Sequence, residues 1–133
     1  MPILQIHDIL PTERCVVDPR AVLTMLGERA IRASWQIAGV ARYDEPLFVT
    51  GEAEAHLEVL SQAQERIAGS LLSEFADQVT QVIWGEFIAY ENGQDAPWVI
   101  VRAIDSSWCE VETDDGDVLA RVRETFVDVR MVP

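Results

Sequence analysis

Apolar positions in the second half of the chain come every other residue or in short unbroken runs. TQVIWGEFIAYE, 80–91, and WVIVRAI, 98–104, are the clearest of these and predict two strands. NGQDAP between them is rich in turn formers, and Asn92-Gly93 is a strong hairpin signal. A loop centred near Gln94 sets Tyr90 opposite Trp98, Ile88 opposite Ile100 and Glu86 opposite Arg102. The other face of this hairpin carries Ile83, Phe87, Val99, Val101 and Ala103. Both faces are mainly apolar, which predicts a central place in a sheet.

Residues 107–113 alternate in their turn. Trp108, Glu110 and Glu112 point one way; Cys109, Val111 and Thr113 point the other. Cys109 is expected as a small buried hydrophobe. Asp114-Asp115-Gly116-Asp117 reads as a turn into a helix, with Asp117 as its expected N-cap. Val118, Leu119, Val122 and Phe126 form that helix's buried face, and 127–131 reads as a last strand.

The first half mixes the two periods. ILQIHDIL, 3–10, predicts a first strand closed by Pro11. Asp18-Pro19 is a helix start, with Asp as N-cap and Pro at the first helical position. Val22, Leu23, Leu26 and Ala30 follow at helical spacing, and Gly27 weakens the second turn. Residues 31–42 return to strand character, 43–46 form a turn, and 47–49 suggest a short strand. Thr50 opens a helical region whose seam is Leu57, Leu60, Ile67, Leu71 and Phe75. Gly69-Ser70 interrupts it, which predicts two helices, at 51–67 and 70–79, or one kinked helix. The expected fold is a single α+β domain over residues 1–133. It has a mainly antiparallel sheet of five to six strands, with helices packed on one side.

At 49% hydrophobic the chain can bury a core. No apolar run approaches the roughly 20 residues of a membrane span. The N-terminal stretch has no basic run and no small-residue cleavage site, so no signal peptide is expected. Cys15 and Cys109 have no zinc spacing and are too few for a disulfide scaffold. A cytoplasmic protein with free thiols is the expectation.

Charge changes the picture most. There are 23 acids and 10 bases, a net charge of −13, and every base is arginine. Without lysine there is no Schiff base and no phosphate-loop lysine. Residues 1–50 carry net −1 and residues 51–133 net −12. Nucleic acid is a poor partner for such a chain, because binding it takes clustered positive charge. An acidic surface serves solubility by itself; the sharper reading is a surface matched to a basic protein.

Candidate chemistry is thin. His7 and Asp8 are neighbours in a strand and point to opposite faces, so they form no acid–base couple alone. Glu52 and His56 share a helix face, but two ligands do not make a metal site. Cys15 has no nucleophile motif around it. No Gly-rich phosphate loop, Gly-x-Ser-x-Gly or His-Glu-x-x-His occurs. No catalytic residue, metal or cofactor is therefore expected. In size, acidity and mixed pattern the chain resembles bacterial immunity proteins, small acidic inhibitors of basic toxins; the likeness is compositional and carries no residues across.

Two sets of side chains are the candidate sites. Trp108, Glu110, Glu112, Asp114 and Asp115 combine an aromatic anchor with charge and suit a basic protein partner. Trp84, Glu86, Tyr90, Trp98 and Arg102 could line a pocket for a small molecule, in a binding domain or a minor hydrolase. The leading expectation is a non-enzymatic acidic binding module, immunity-like in kind. A homodimer whose acidic surface only keeps it soluble is the third reading.

Overall fold

β-branched and aromatic residues crowd the stretch 79–113, and they build the middle of one sheet. The computed structural model of the protein describes residues 1–10 and 15–132. Pro11 and the side chain of Cys15, which figure in the expectations above, lie outside what it describes. In chain order the strands are β1 (Ile3–Ile6), β2 (Ile9–Leu10), β3 (Cys15–Val16), β4 (Ser34–Ala38), β5 (Phe48–Gly51), β6 (Arg66–Ala68), β7 (Val79–Tyr90), β8 (Val99–Ile104), β9 (Trp108–Thr113) and β10 (Val129–Met131). The helices are α1 (Pro19–Leu26), α2 (Glu28–Arg32), α3 (Glu54–Ala63), α4 (Gly69–Asp77) and α5 (Gly116–Thr125), with a 3-10 turn at Ala41–Tyr43.

The fold is α+β. Eight strands form one antiparallel sheet in the order β10-β1-β9-β8-β7-β4-β6, with β5 also on β7. β2 and β3 make a separate two-stranded ribbon. β7 is long enough to take two neighbours in succession: Val79–Trp84 pairs with β5, and Glu86–Tyr90 pairs with β4. Its other side holds β8 in the register expected, with Glu86 against Arg102 and Ile88 against Ile100.

Strand alternation makes the core. Leu4, Ile6, Trp35, Ile37, Phe87, Ala89, Val99, Val101, Cys109 and Val111 are buried on one face. They join a single apolar cluster with Val22, Met25, Leu26, Ala30, Leu57, Leu72, Val118 and Val122, so each of the five helices contributes to it. The Trp35 indole, fully buried, donates to the carbonyl of Ala30 at 2.8 Å. Burial pushes the Cys109 thiol well above its ordinary pKa.

Several boundaries differ from the sequence reading, each for a local reason. The sheet is larger than five to six strands. One strand that the hydrophobic pattern did not suggest is β6, whose Ile67 sits across from Trp35 instead of continuing the helical seam. α3 stops before it because Gln64 adopts a left-handed conformation, φ 56°. Gly27, at φ 66°, likewise divides residues 19–32 into two helices. The N-cap of α5 is Asp115 and not Asp117: its carboxylate accepts from the N–H groups of Asp117 and Val118 at 2.9 and 3.4 Å. Asp18 caps α1 as expected, accepting from Arg20 N–H at 2.9 Å.

Gly69 starts α4 where its backbone meets that of α2. A Cβ there would overlap the carbonyl oxygen of Ala30 and come within 2.7 Å of that of Ile31. Both obstacles are backbone and cannot step aside cheaply. Gly69→Ala is expected to lower stability by roughly 2–4 kcal/mol in urea unfolding, an overpacking cost. Loss under about 0.5 kcal/mol would show that α2 and α4 separate freely. In a Cys15→Ser background, Cys109 should react with iodoacetamide on the order of a hundredfold slower than after denaturation. Labelling at the denatured rate would refute its burial in β9.

Candidate functional site on the polar face of the sheet

The second face of the central strands carries charge. On β8 the residues between the core positions are Ile100, Arg102 and Ile104; on β9 they are Trp108, Glu110 and Glu112. Antiparallel pairing puts Arg102 directly between Glu86 of β7 and Glu110 of β9, with Glu112 on the diagonal. Arg102 Nε lies 2.6 Å from Glu86 Oε1, and Nη2 lies 2.6 Å from Glu112 Oε1. Nη1 is 3.6 Å from Glu110 Oε1, too far for a good hydrogen bond, and it is buried without one. Desolvation pulls the guanidinium pKa down. Its hydrogen bonds to Glu86 and Glu112 more than offset that, and the value ends above the ordinary one.

Glu110 has 0% exposure and would be costly to bury alone. No base lies near it in sequence. Its partner comes from the 3-10 turn: Arg42 Nη2 reaches Glu110 Oε1 at 2.6 Å. The Trp108 indole donates to Glu110 Oε2 at 2.9 Å, and the Gln5 amide approaches the same oxygen at 3.5 Å. His7 Nε2 shares a hydrogen bond with Gln5 Oε1 at 2.9 Å, and its ring stacks on Trp108 at 5.6 Å. Aromatic rings flank the charges: Tyr43 packs on Trp84 at 5.5 Å, and Arg66 lies 3.6 Å over Tyr90.

The candidate residues divide accordingly. Of the partner-binding set, Glu110 is wholly enclosed and Glu112 is held by Arg102. Asp115 caps α5 and also receives the Trp98 indole at 3.0 Å and Arg29 at 2.9 Å. Desolvation pushes its carboxyl pKa up, but hydrogen bonds from Trp98, Arg29 and the helix amides outweigh that and bring it below the ordinary value. Trp108 is half-buried, and Asp114 is exposed. Of the pocket set, Trp84, Glu86, Tyr90 and Arg102 share the polar face. Trp98 does not; it belongs to the core cluster, under Arg29 at 4.3 Å. Arg42 and Gln5 were not singled out from the sequence, and His7 was weighed there only with Asp8. Alternation places Gln5 and His7 on this face, but nothing local marks Arg42.

Chemically, this is an ion-pair network with aromatic flanks. Each carboxylate in it faces a guanidinium, and His7 faces an amide. Among the described residues no group of three His, Cys, Asp or Glu is placed to hold a metal. Arg102→Ala would strand two or three carboxylates and is expected to cost roughly 3–5 kcal/mol in urea unfolding. A loss below about 1 kcal/mol would mean that solvent screens the network. No family model matches this chain, no curated protein matches it in sequence, and no solved structure matches its fold.

Proposed function

We propose that the chain is a non-enzymatic acidic binding module of the cytoplasm that docks a basic protein partner, an immunity-type inhibitor in kind. One observation carries this reading. The acids of the polar face are neutralised by arginines of the same chain, whereas those around α3 and α4 are not. Glu52, Glu54, Glu58, Glu74 and Asp77 are exposed, and among the described residues none has an arginine partner. His56 of α3 stacks on Phe75 of α4 at 5.7 Å, which ties the two acidic helices together at that point. Val59, 65% exposed, and Leu71, 39% exposed, add apolar contact area on the same helices. Steering charge with a few apolar anchors is what a protein interface uses. From the 108–115 set, Trp108 and Asp114 remain accessible to extend such a surface.

An arginine-rich peptide of about 12 residues is a suitable probe, followed by fluorescence anisotropy. Affinity should fall as salt rises. Replacing Glu52, Glu54, Glu58 and Glu74 by Gln should weaken binding by about tenfold or more. A control set of equal charge change, with Asp44, Asp95 and Asp105 to Asn and Glu124 to Gln, should weaken it by only about two- to threefold. Equal losses in both sets would mean that net charge alone attracts the peptide, and the docking surface would be discarded.

A second reading has one observation behind it. The buried Nη1 of Arg102 lacks a hydrogen-bond acceptor. A small polar molecule with one acceptor atom could satisfy it, flanked by Trp84 and Tyr90, in a small-molecule-binding domain or a minor hydrolase.

A further inference from the structure

β10 is an end strand of the eight-stranded sheet, and its residues are a self-complementary series. Among the described residues it pairs with β1 on one side only, with Leu4 against Met131, Gln5 against Arg130 and Ile6 against Val129. His7 N–H donates to the Asp128 carbonyl at 2.8 Å, and Val132 N–H donates to the Ile3 carbonyl at 3.0 Å. Those bonds fix the phase of the ladder. The even-numbered residues of β10 direct their backbone groups to β1, and Val129 and Met131 direct theirs outward. Two apolar side chains here are also uncovered: Val127 is 94% exposed and Met131 57%.

We infer that two copies of this chain join their sheets through β10, antiparallel, with the two-fold axis at Val129. In that register Val129 faces Val129 of the second copy, and each exchanges its N–H and C=O with the other. Val127, in the bend that precedes β10, lies opposite Met131. The Val127 N–H stays with Asp8 at 2.9 Å, so it adds no bond. Asp128 faces Arg130 at both flanking positions. These are non-hydrogen-bonded pairs, in which opposing side chains come closest.

Within one chain Asp128 and Arg130 already contact each other at 3.0 Å, on the polar face beside Gln5. Across the axis they would form a ring of four alternating charges. Centring the axis on Asp128 or on Arg130 instead would oppose like charges, which is unfavourable. The exposed edge, the outward N–H groups and the charge order thus select one occupant, a second copy, and one register. This inference does not rest on the partner reading above, since it uses neither α3 nor α4.

Sedimentation velocity from about 1 to about 500 µM should show a monomer–dimer equilibrium with a dissociation constant on the order of 10 µM, typical of a small interface. Asp128→Arg sets arginine against arginine, and Arg130→Asp sets aspartate against aspartate. Each single variant should dimerise about tenfold more weakly or worse. The double variant restores the alternation and should recover dimerisation. Mixing the two single variants should give a heterodimer, because the first then presents arginine at both flanking positions and the second presents aspartate at both. Heterodimer formation also shows that both singles are folded. A chain that stays monomeric throughout, dimers indifferent to the single changes, or a mixture that yields no heterodimer would each overturn the interface.

Discussion

Among the described residues Arg102 is the one cation set into the middle of the sheet, and three carboxylates are arranged around it. A buried ion pair seldom adds much net stability over an apolar pair of the same size. It does penalise every other arrangement. A one-residue slip between β7 and β8 would turn Glu86 toward the apolar core. A two-residue slip would set Glu86 against Ile100 or Ile104 and leave Arg102 facing the wrong positions of β9. The apolar alternation of β7 and β8 tolerates the two-residue slip; the length of the hairpin loop and the charges oppose it. The network therefore acts as a registry device for the three central strands, and β1 and β4 are built outward from them.

The same network decides where free charge is found. Arg42 is drawn out of its turn to Glu110, Arg102 serves Glu86 and Glu112, and Arg29 is shared by Glu91 and Asp115. Among the described residues no arginine is paired with the exposed acids of α3 and α4. A net charge of −13 spread evenly would favour no face. With Arg42 and Arg102 committed to the sheet and Arg29 to the α2–α5 side, unpaired acids are left on α3 and α4. Charge that is uneven in space can orient an approaching partner, which uniform charge cannot.

The hairpin around Gln94 was legible in the sequence because loop length and strand period together leave one register. Glu86 and Arg102 follow from that alone, as do the inward Cys109 and the Asp18 cap. What was not legible came from sequence-distant contacts. Arg42 and Glu110 are 68 positions apart, and the turn holding Arg42 has no period to read. β6 was hidden inside a helical seam because Ile67 fits either spacing; its strand state depends on Trp35 offering an edge. Trp98 was assigned by strict alternation to the face of Tyr90. It stands one residue before β8, where the side chain turns toward Asp115 and Arg29, and a hydrogen bond with a stacked guanidinium rewards that turn.

The two ends of the sheet are handled differently. β6 runs directly into α4, and the close approach of Gly69 to α2 turns the chain away from the edge within one residue. Arg66 is folded back over the Tyr90 ring of β7. β10 has no helix starting from it among the described residues, and its two charges are of opposite sign. An edge guarded against pairing usually carries charges of one sign or a proline, so that a second edge is repelled or finds no donor. Asp128 and Arg130 do the reverse. They attract any strand that presents the same two residues in the opposite direction, and the strand that always does so is β10 of another copy.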